Sequence, residues 1–116
     1  MKSIPFAMPG MFDMILAKIK TITGRCIAVP RYTEKEIIRL RENIDGHDGR
    51  VVLAKVINVT PVRVKDITNG IAIKEGFDKK EDSINFFKGY YKLKDENYVF
   101  FTEWELIESR KIGDLK

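Results

Sequence analysis

Three consecutive segments decide the fold: "YTEKEIIRLREN" at 32–43, "DGHDG" at 45–49 and "RVVLAKVINVTPVRVKDI" at 50–67. In the first segment, Ile38 and Leu40 alternate with arginines, as in a strand with one buried face. The second segment is a typical hairpin sequence, and the third is rich in β-branched residues. We therefore predict a strand, a turn at residues 45–49, and a second, longer strand.

The sequence on the N-terminal side predicts a strand or extended segment and then a helix. Pro9 and Gly10 mark a turn, after which apolar residues recur at helical spacing from Met11 to Ile19. Lys20 then lies at the predicted C-terminus of the helix, where a cation is favourable. In the long strand of the hairpin, Pro61 indicates a bend or a sheet edge.

The C-terminal half predicts two more helices and a last strand. "DITNGIAIKEGF" at 66–77 is typical of a short helix that ends at Gly76, and "DKKEDSINFFKGYY" at 78–91 of another. "NYVFFTEWELIE" at 97–108 has the aromatic and β-branched residues of a strand. Because helices lie beside strands that include a hairpin, we predict an α+β fold with a curved sheet or small barrel.

Length and composition bound the class of protein. The 116 residues predict a single domain over 1–116, and 44% hydrophobic with 33% charged residues is a globular composition. The net charge of +4 favours anionic partners without identifying one. A single cysteine, Cys26, and a single histidine, His47, exclude an internal disulfide and the usual Cys/His zinc sets. We expect no metal and no cofactor, and a reducing, cytoplasmic setting.

The N-terminal segment has Lys2 before an apolar run, as a signal peptide does. Pro5, Pro9 and Asp13 interrupt that run well short of the ~20 apolar residues that span a bilayer. We therefore expect no membrane-spanning segment. The oligomeric state does not follow from the sequence.

The stretch "ILAKIKTITGRC" at 15–26 contains the first candidate site. If the chain is extended after the helix, Thr21, Thr23 and Arg25 project to one side and line a pocket. Lys20 joins them only if it belongs to the helix end and the chain bends there. The alternative is a solvated helix end followed by an ordinary strand.

Three motifs carry a resemblance to a known family: "ILAKIKTITGR" at 15–25, "DITNGIAIKEGF" at 66–77 and "FFKGYY" at 86–91. In order and spacing they resemble the ASCH domain, a small relative of the PUA RNA-binding fold. The pattern is most similar to that of small bacterial N4-acetylcytidine amidohydrolases, whose signature is close to "ILAGRKTITIR". The resemblance implies a small PUA-like β-barrel with flanking helices and a cleft lined by this motif.

The resemblance also implies roles for individual residues. It places the proposed catalytic lysine, threonine and glutamate of the amidohydrolases on Lys20, Thr23 and Glu75. Lys20 would act as base, Thr23 as nucleophile and Glu75 in proton transfer, and the family's arginine falls on Arg25, which would contact the ligand. Thr21 is a candidate ligand contact from strand alternation alone. The alternative for Glu75 is a solvated glutamate near a helix end.

Two positions depart from the family pattern. Lys18 stands where the family usually has glycine, and Gly24 replaces a larger residue. We expect the first change to alter the turn that orients Lys20. We expect the second to loosen the backbone beside Thr23.

Four basic residues of the predicted strands form a second candidate site: Arg39, Arg41, Arg63 and Lys65. If they share one face of paired strands, they form a stripe that binds phosphates beside the pocket. If they simply alternate with apolar residues along the strands, they form the solvated face of the sheet.

The sequence thus leaves three functions open. The first is a binding module for RNA or a modified nucleoside in the cleft lined by Lys20 to Arg25. The second is an amidohydrolase that removes the acetyl group from N4-acetylcytidine. The third is a metal-independent ribonuclease that uses Lys20 and Arg25 on phosphate.

Overall fold

The computed structural model describes residues 1–26 and 32–107. Within these ranges one five-stranded sheet is accompanied by three α-helices and a 3-10 helix. The strands are β1 (Ser3–Phe6), β2 (Ile22–Arg25), β3 (Ile37–Ile44), β4 (His47–Arg63) and β5 (Tyr98–Leu106). The helices are α1 (Met11–Leu16), the 3-10 helix (Val64–Asp66), α2 (Asn69–Glu75) and α3 (Lys80–Gly89).

The sheet is curled rather than flat. Its strand order is β1-β3-β4-β5-β2, with β1 parallel to β3 and the other pairs antiparallel. A flat sheet would hold the edge strands β1 and β2 roughly 19 Å apart. Instead Arg25 of β2 donates a hydrogen bond from Nη2 to the carbonyl of Pro5 in β1, at 3.3 Å. The two edges therefore approach each other, and the predicted α+β fold with a barrel-like sheet is confirmed.

The predicted hairpin is present, with a tighter turn than expected. Asp45 and Gly46 have φ angles of 53° and 81°, and Ile44 pairs with His47 across the turn. Positive φ at both central residues is the two-residue geometry that matches the twist of paired strands. The turn is thus Asp45–Gly46, and residues 47–49, expected in the turn, already belong to β4.

Pro61 lies in a part of β4 that is paired on one side. The register between β3 and β4 ends at the pair Ile37 and Lys55, whereas β5 pairs with β4 as far as Arg63. An unpaired edge tolerates a residue without an N–H group. The interpretation of Pro61 as an edge marker is therefore confirmed.

Helix α1 is shorter than predicted because Lys18 adopts a left-handed conformation. The helix ends at Leu16, and Lys18 has φ of 61°. The N–H of Lys18 bonds to the carbonyl of Ile15 at 3.0 Å, and that of Ile19 to the carbonyl of Met14 at 2.9 Å. These two bonds form a Schellman motif, whose left-handed position is usually glycine. Glycine is therefore the residue that this backbone position favours.

Replacing Lys18 by glycine should stabilise the protein by about 1 kcal/mol, because glycine adopts a left-handed φ without the steric penalty of a Cβ. The free energy of unfolding in urea measures this. Lys18→Ala is the control, since alanine meets the same backbone penalty and should give little change. A Lys18→Gly variant no more stable than Lys18→Ala would contradict the prediction.

Helices α2 and α3 lie where the sequence predicts them. The hydroxyl of Thr68 accepts a hydrogen bond from the N–H of Ile71 at 3.2 Å and caps α2. Gly76, with φ of 103°, ends the helix as predicted. This end places Glu75 in the last turn of α2, facing the sheet.

The interior contains two apolar clusters. The first joins β1, α1, β3, β4 and β5 and includes Phe6 and Trp104, whose rings meet edge to face. The second joins α3 to β2 and β5 and includes Phe87 and Phe101. In the part of the chain that the structure describes, no helix is long and apolar enough to cross a membrane.

Candidate functional site

The centre of the candidate site is the amine of Lys20, which is almost completely buried. The residue is 2% exposed. Its Nζ donates to the carbonyl of Ile22 at 2.8 Å and to the backbone carbonyl of Glu75 at 2.9 Å. It also lies 5.9 Å from the centre of the Phe6 ring. Lys20 follows the Schellman motif rather than ending the helix, so the chain bends there and turns the amine inward.

Burial lowers the pKa of Lys20 to about 8, because the ammonium form loses its hydration, although the neighbouring Glu75 charge opposes this effect. An ordinary lysine stays protonated well above neutral pH. The amine of Lys20 is therefore neutral in roughly a tenth of the molecules at pH 7. A neutral amine can accept a proton, which the ammonium form cannot.

Glu75 faces Lys20 from the end of α2 and is 7% exposed. Its Oε2 accepts a hydrogen bond from the N–H of Gly24 at 2.9 Å, and its Oε1 accepts one from Ser83 Oγ at 3.3 Å. Burial raises the pKa of Glu75, while the Lys20 charge and these two hydrogen bonds oppose the rise. The Glu75 carboxyl is thus buried and fixed by two hydrogen bonds, and it is not a solvated side chain.

Thr23 and Arg25 share one face of β2. Thr23 is 2% exposed, and Arg25 Nη1 donates to its Oγ1 at 2.8 Å. The half-buried guanidinium also lies 5.6 Å from the centre of the Phe6 ring. The Lys20 amine makes no hydrogen bond to the Thr23 hydroxyl or to the Glu75 carboxylate in the described structure. The three residues surround the same segment of β2 without a direct base–nucleophile contact.

Thr21 lies apart from Thr23 and Arg25. It precedes β2, and its N–H bonds to the carbonyl of Lys74 at 2.8 Å. Its side chain, with that of Lys20, lines a groove of about 510 Å³. The groove is also lined by Lys18, Lys55, Glu103 and Trp104, among others. The lining of this groove includes neither Thr23 nor Arg25 nor Glu75, so the groove does not join all the candidate residues in one pocket.

Gly24 is tightly packed, which differs from the expected loosening of the backbone. A Cβ at this position would lie 2.7 Å from Phe87 Cζ, 2.7 Å from Val99 Cγ1 and 2.9 Å from Phe101 Cε1. These aromatic and branched side chains fill the space that a larger residue would occupy. The glycine here serves close packing.

Gly24→Ala should therefore lower the free energy of unfolding by about 1–3 kcal/mol, the usual cost of overpacking a core. Chemical denaturation measures the change. Gly89→Ala is the matched control, because a Cβ there meets no atom within 4 Å. Equal stability of the two alanine variants would show that the space around Gly24 relaxes at no cost.

The four basic residues of the second candidate site do not form one stripe. Arg39 pairs with Leu53 and Arg63 lies ten residues further along β4, roughly 30 Å of extended strand. Lys65 lies beyond the strand in the 3-10 helix. The two pairs of residues therefore lie near opposite ends of a long strand and do not form one continuous stripe.

Carboxylates already accompany three of these four cations. Arg41 contacts Asp48 at 2.8 Å. Arg63 and Lys65 both contact Glu96, at 3.1 and 2.7 Å. Arg39 is exposed on β3. Their positions provide no concentrated positive surface beside Lys20.

Sequence reasoning missed two residues that shape the site. Phe6 provides the aromatic surface beneath both Lys20 and Arg25. Ser83 is completely buried and bonds to Glu75. No local signal identified either, because β1 and α3 reach the site only through the tertiary fold. Across residues 1–26 and 32–107, no group of three or more His, Cys, Asp or Glu side chains is placed to hold a metal ion.

Comparison with known proteins identifies the fold. No family model and no curated protein matches the chain. The ASCH domain from Lactobacillus crispatus JV V101 is similar in structure, with a TM-score of 0.64 and 12% identity over 90% of this chain and 79% of that chain. A DUF984 protein from Enterococcus faecalis V583 also has a TM-score of 0.64, with 14% identity over 84% of this chain and 69% of that chain. The expected ASCH-type fold is confirmed.

Proposed function

From the ASCH-type fold and the buried Lys20, we propose that this protein hydrolyses the amide bond between an acetyl group and the exocyclic amine of a nucleoside, with N4-acetylcytidine as the substrate. The substrate follows from the resemblance of "ILAKIKTITGR" to the amidohydrolase signature. The reaction class rests on the chemistry of the residues around β2.

The burial of Lys20 is the observation that carries this proposal. A buried ammonium group is costly unless a carboxylate pairs with it directly, and here the amine contacts two backbone carbonyls. An apolar side chain would fill the same space without that cost. Strong perturbation of a lysine pKa beside a carboxyl and a hydroxyl is typical of a catalytic site.

The residues support a two-step reaction. Neutral Lys20 accepts the proton of the Thr23 hydroxyl while Thr23 Oγ1 forms a bond to the acetyl carbon. The C–N bond then breaks, and Glu75 takes the proton from the Lys20 ammonium and passes it to the departing N4. Water next hydrolyses the acetyl ester, releasing acetate and returning a hydrogen to the Thr23 oxygen. Substrate binding must first bring the Lys20 amine within hydrogen-bond distance of the Thr23 hydroxyl and of the Glu75 carboxylate.

Arg25 supports the first step through its contact with Thr23. Its hydrogen bond to Oγ1 favours negative charge on that oxygen, which eases the loss of the proton. An acetyl group bonded to Oγ1 would lie beside the guanidinium. Arg25 can therefore also stabilise the oxyanion that forms in the tetrahedral intermediate.

Incubation of the purified protein with N4-acetylcytidine tests the proposal. Chromatography should show cytidine and acetate in equal amounts, beyond hydrolysis in buffer alone. Binding of the nucleoside without turnover would reject the enzyme and support a binding module. Cleavage of single-stranded RNA without added metal would instead indicate a ribonuclease.

A binding module is the second candidate, because the Lys20 amine and the Thr23 hydroxyl do not contact each other. In this arrangement the half-buried Arg25 would hold a carbonyl or phosphate oxygen of RNA or a modified nucleoside. Because Arg39, Arg41, Arg63 and Lys65 do not form one stripe, the binding of single-stranded RNA should depend only weakly on salt. Titration with N4-acetylcytidine and with single-stranded RNA at two salt concentrations measures this.

A further inference from the structure

We propose that Ser83 of α3 is a positioning residue that holds the Glu75 carboxylate toward β2 for proton transfer. The catalytic part of this inference rests on the function proposed above. The positioning itself rests on the contacts of Ser83 and has its own experimental test. No motif of the amidohydrolase signature includes this serine.

The location of Ser83 is unusual for a residue with a hydroxyl group. It lies one helical turn before Phe87 on the buried face of α3, and both residues are 0% exposed. Alanine would suit a helix interior better, because serine has a lower helix propensity and a buried hydroxyl must find a partner. In the described structure the Ser83 hydroxyl bonds to Glu75 Oε1, and not to a carbonyl of its own helix.

Two donors from different elements thus fix the two carboxylate oxygens. The N–H of Gly24 in β2 holds Oε2 at 2.9 Å, and Ser83 in α3 holds Oε1 at 3.3 Å. The first bond has ordinary length, whereas the second is longer than the ~2.8 Å typical of a hydroxyl donor. Together the two bonds orient the carboxylate toward β2, with the Ser83 bond the weaker of the two.

The charged groups around Glu75 do not replace this bond. Lys20 and Arg25 are the cations whose charges act on the Glu75 carboxylate, and Cys26 and Tyr91 are the neutral titratable groups that respond to it. Neither cation donates a hydrogen bond to the Glu75 carboxylate in the described residues. Removal of the Ser83 hydroxyl should therefore leave Oε1 without a protein donor.

Ser83→Ala and Ser83→Cys test the inference together. Alanine removes the hydroxyl, and cysteine fills the site with a slightly larger side chain that is only a weak donor. The carboxyl carbon of Glu75, followed by NMR in protein labelled with ¹³C-glutamate, should titrate at higher pH in both variants than in the natural protein. Thr102→Ala, which removes another buried hydroxyl, should leave the titration unchanged.

The activity arm uses the pH profile of kcat/KM for N4-acetylcytidine. Lys20 sets the rise of kcat/KM toward pH 8, and protonation of Glu75 should add a separate acidic limb to the profile. That acidic limb should move to higher pH in both Ser83 variants, with a loss of roughly 5- to 10-fold on it, the usual effect of one hydrogen bond. An unchanged Glu75 titration in the folded variants overturns the positioning role. A shifted titration with an unmoved acidic limb overturns its link to catalysis. If the natural protein releases no cytidine, the proposed function fails, and the NMR titration still decides the role of Ser83.

Discussion

Thr23→Ala is expected to reduce cytidine release from N4-acetylcytidine by at least about 10³-fold in kcat/KM, because it removes the oxygen that bonds to the acetyl carbon. The fold should survive, since alanine fits where threonine fits and Arg25 retains its bond to the carbonyl of Gly24 at 3.1 Å. Initial rates at several substrate concentrations measure the loss, and mass spectrometry of the natural protein should detect the acetylated Thr23 peptide.

Thr102 provides a matched control for this variant. It pairs with Thr23 across β2 and β5 and is 3% exposed, so its replacement by alanine removes an equally buried hydroxyl from the same part of the sheet. Thr102→Ala should keep kcat/KM within roughly threefold of the natural protein. Equal activity in the two variants would exclude Thr23 as the nucleophile.

The second large effect is the pH dependence that Lys20 imposes on activity. Since only the neutral amine can accept the Thr23 proton, kcat/KM should rise with pH and level off above the pKa of about 8. At pH 7 roughly a tenth of the molecules have a neutral Lys20. Lys20→Met should lower kcat/KM by about 10³-fold, and its residual rate should lose the rise near pH 8.

The same lysine should change the stability with pH, in a direction that linkage determines. The folded protein releases the Lys20 proton near pH 8, whereas the unfolded chain holds it until about 10.5. Between these values the unfolded state binds more protons, so the free energy of unfolding should rise with pH, by up to roughly 3 kcal/mol from this group. Below pH 8 the penalty for burying the charge is fully present.

Lys20→Met isolates that contribution from the titration of other residues. The difference in unfolding free energy between the natural protein and Lys20→Met, measured in urea from pH 7 to pH 10.5, should change in favour of the natural protein as pH rises. A difference that is constant with pH would show that Lys20 keeps an ordinary pKa. In that case the protonation of Lys20 would not explain a reduced kcat/KM at neutral pH.

Much of the fold follows from local sequence. Asp45–Gly46 forces a hairpin because both residues accept positive φ, and Thr68 and Gly76 delimit α2 by capping. The helix before Lys20 was predicted too long, because apolar spacing continues to Ile19 and does not show that Lys18 takes a left-handed φ. Backbone conformation at one residue outweighed the periodicity of its neighbours.

The candidate site also has features that the local sequence predicts and features that depend on the tertiary structure. The residues on β2 were predictable, since alternation along a strand places Thr23 and Arg25 on one face. The surroundings of these residues were not predictable. Side chains from α3 and β5 decide how much space is left beside Gly24, and the local sequence does not show them. The failure of the basic stripe has the same cause, because strand length and bulges set which residues become neighbours.

The amino-acid sequence is enough to predict most helices and strands, the turn that joins β3 to β4 and the polar character of the segment from Lys20 to Arg25. These features depend on interactions within a few residues along the chain. Tertiary structure alone decided that Lys20 is buried, that Glu75 reaches Gly24 across 51 residues and that Ser83 completes the cluster. Burial and hydrogen bonding between distant segments set the pKa of a group, and those contacts exist only after the sheet has curled.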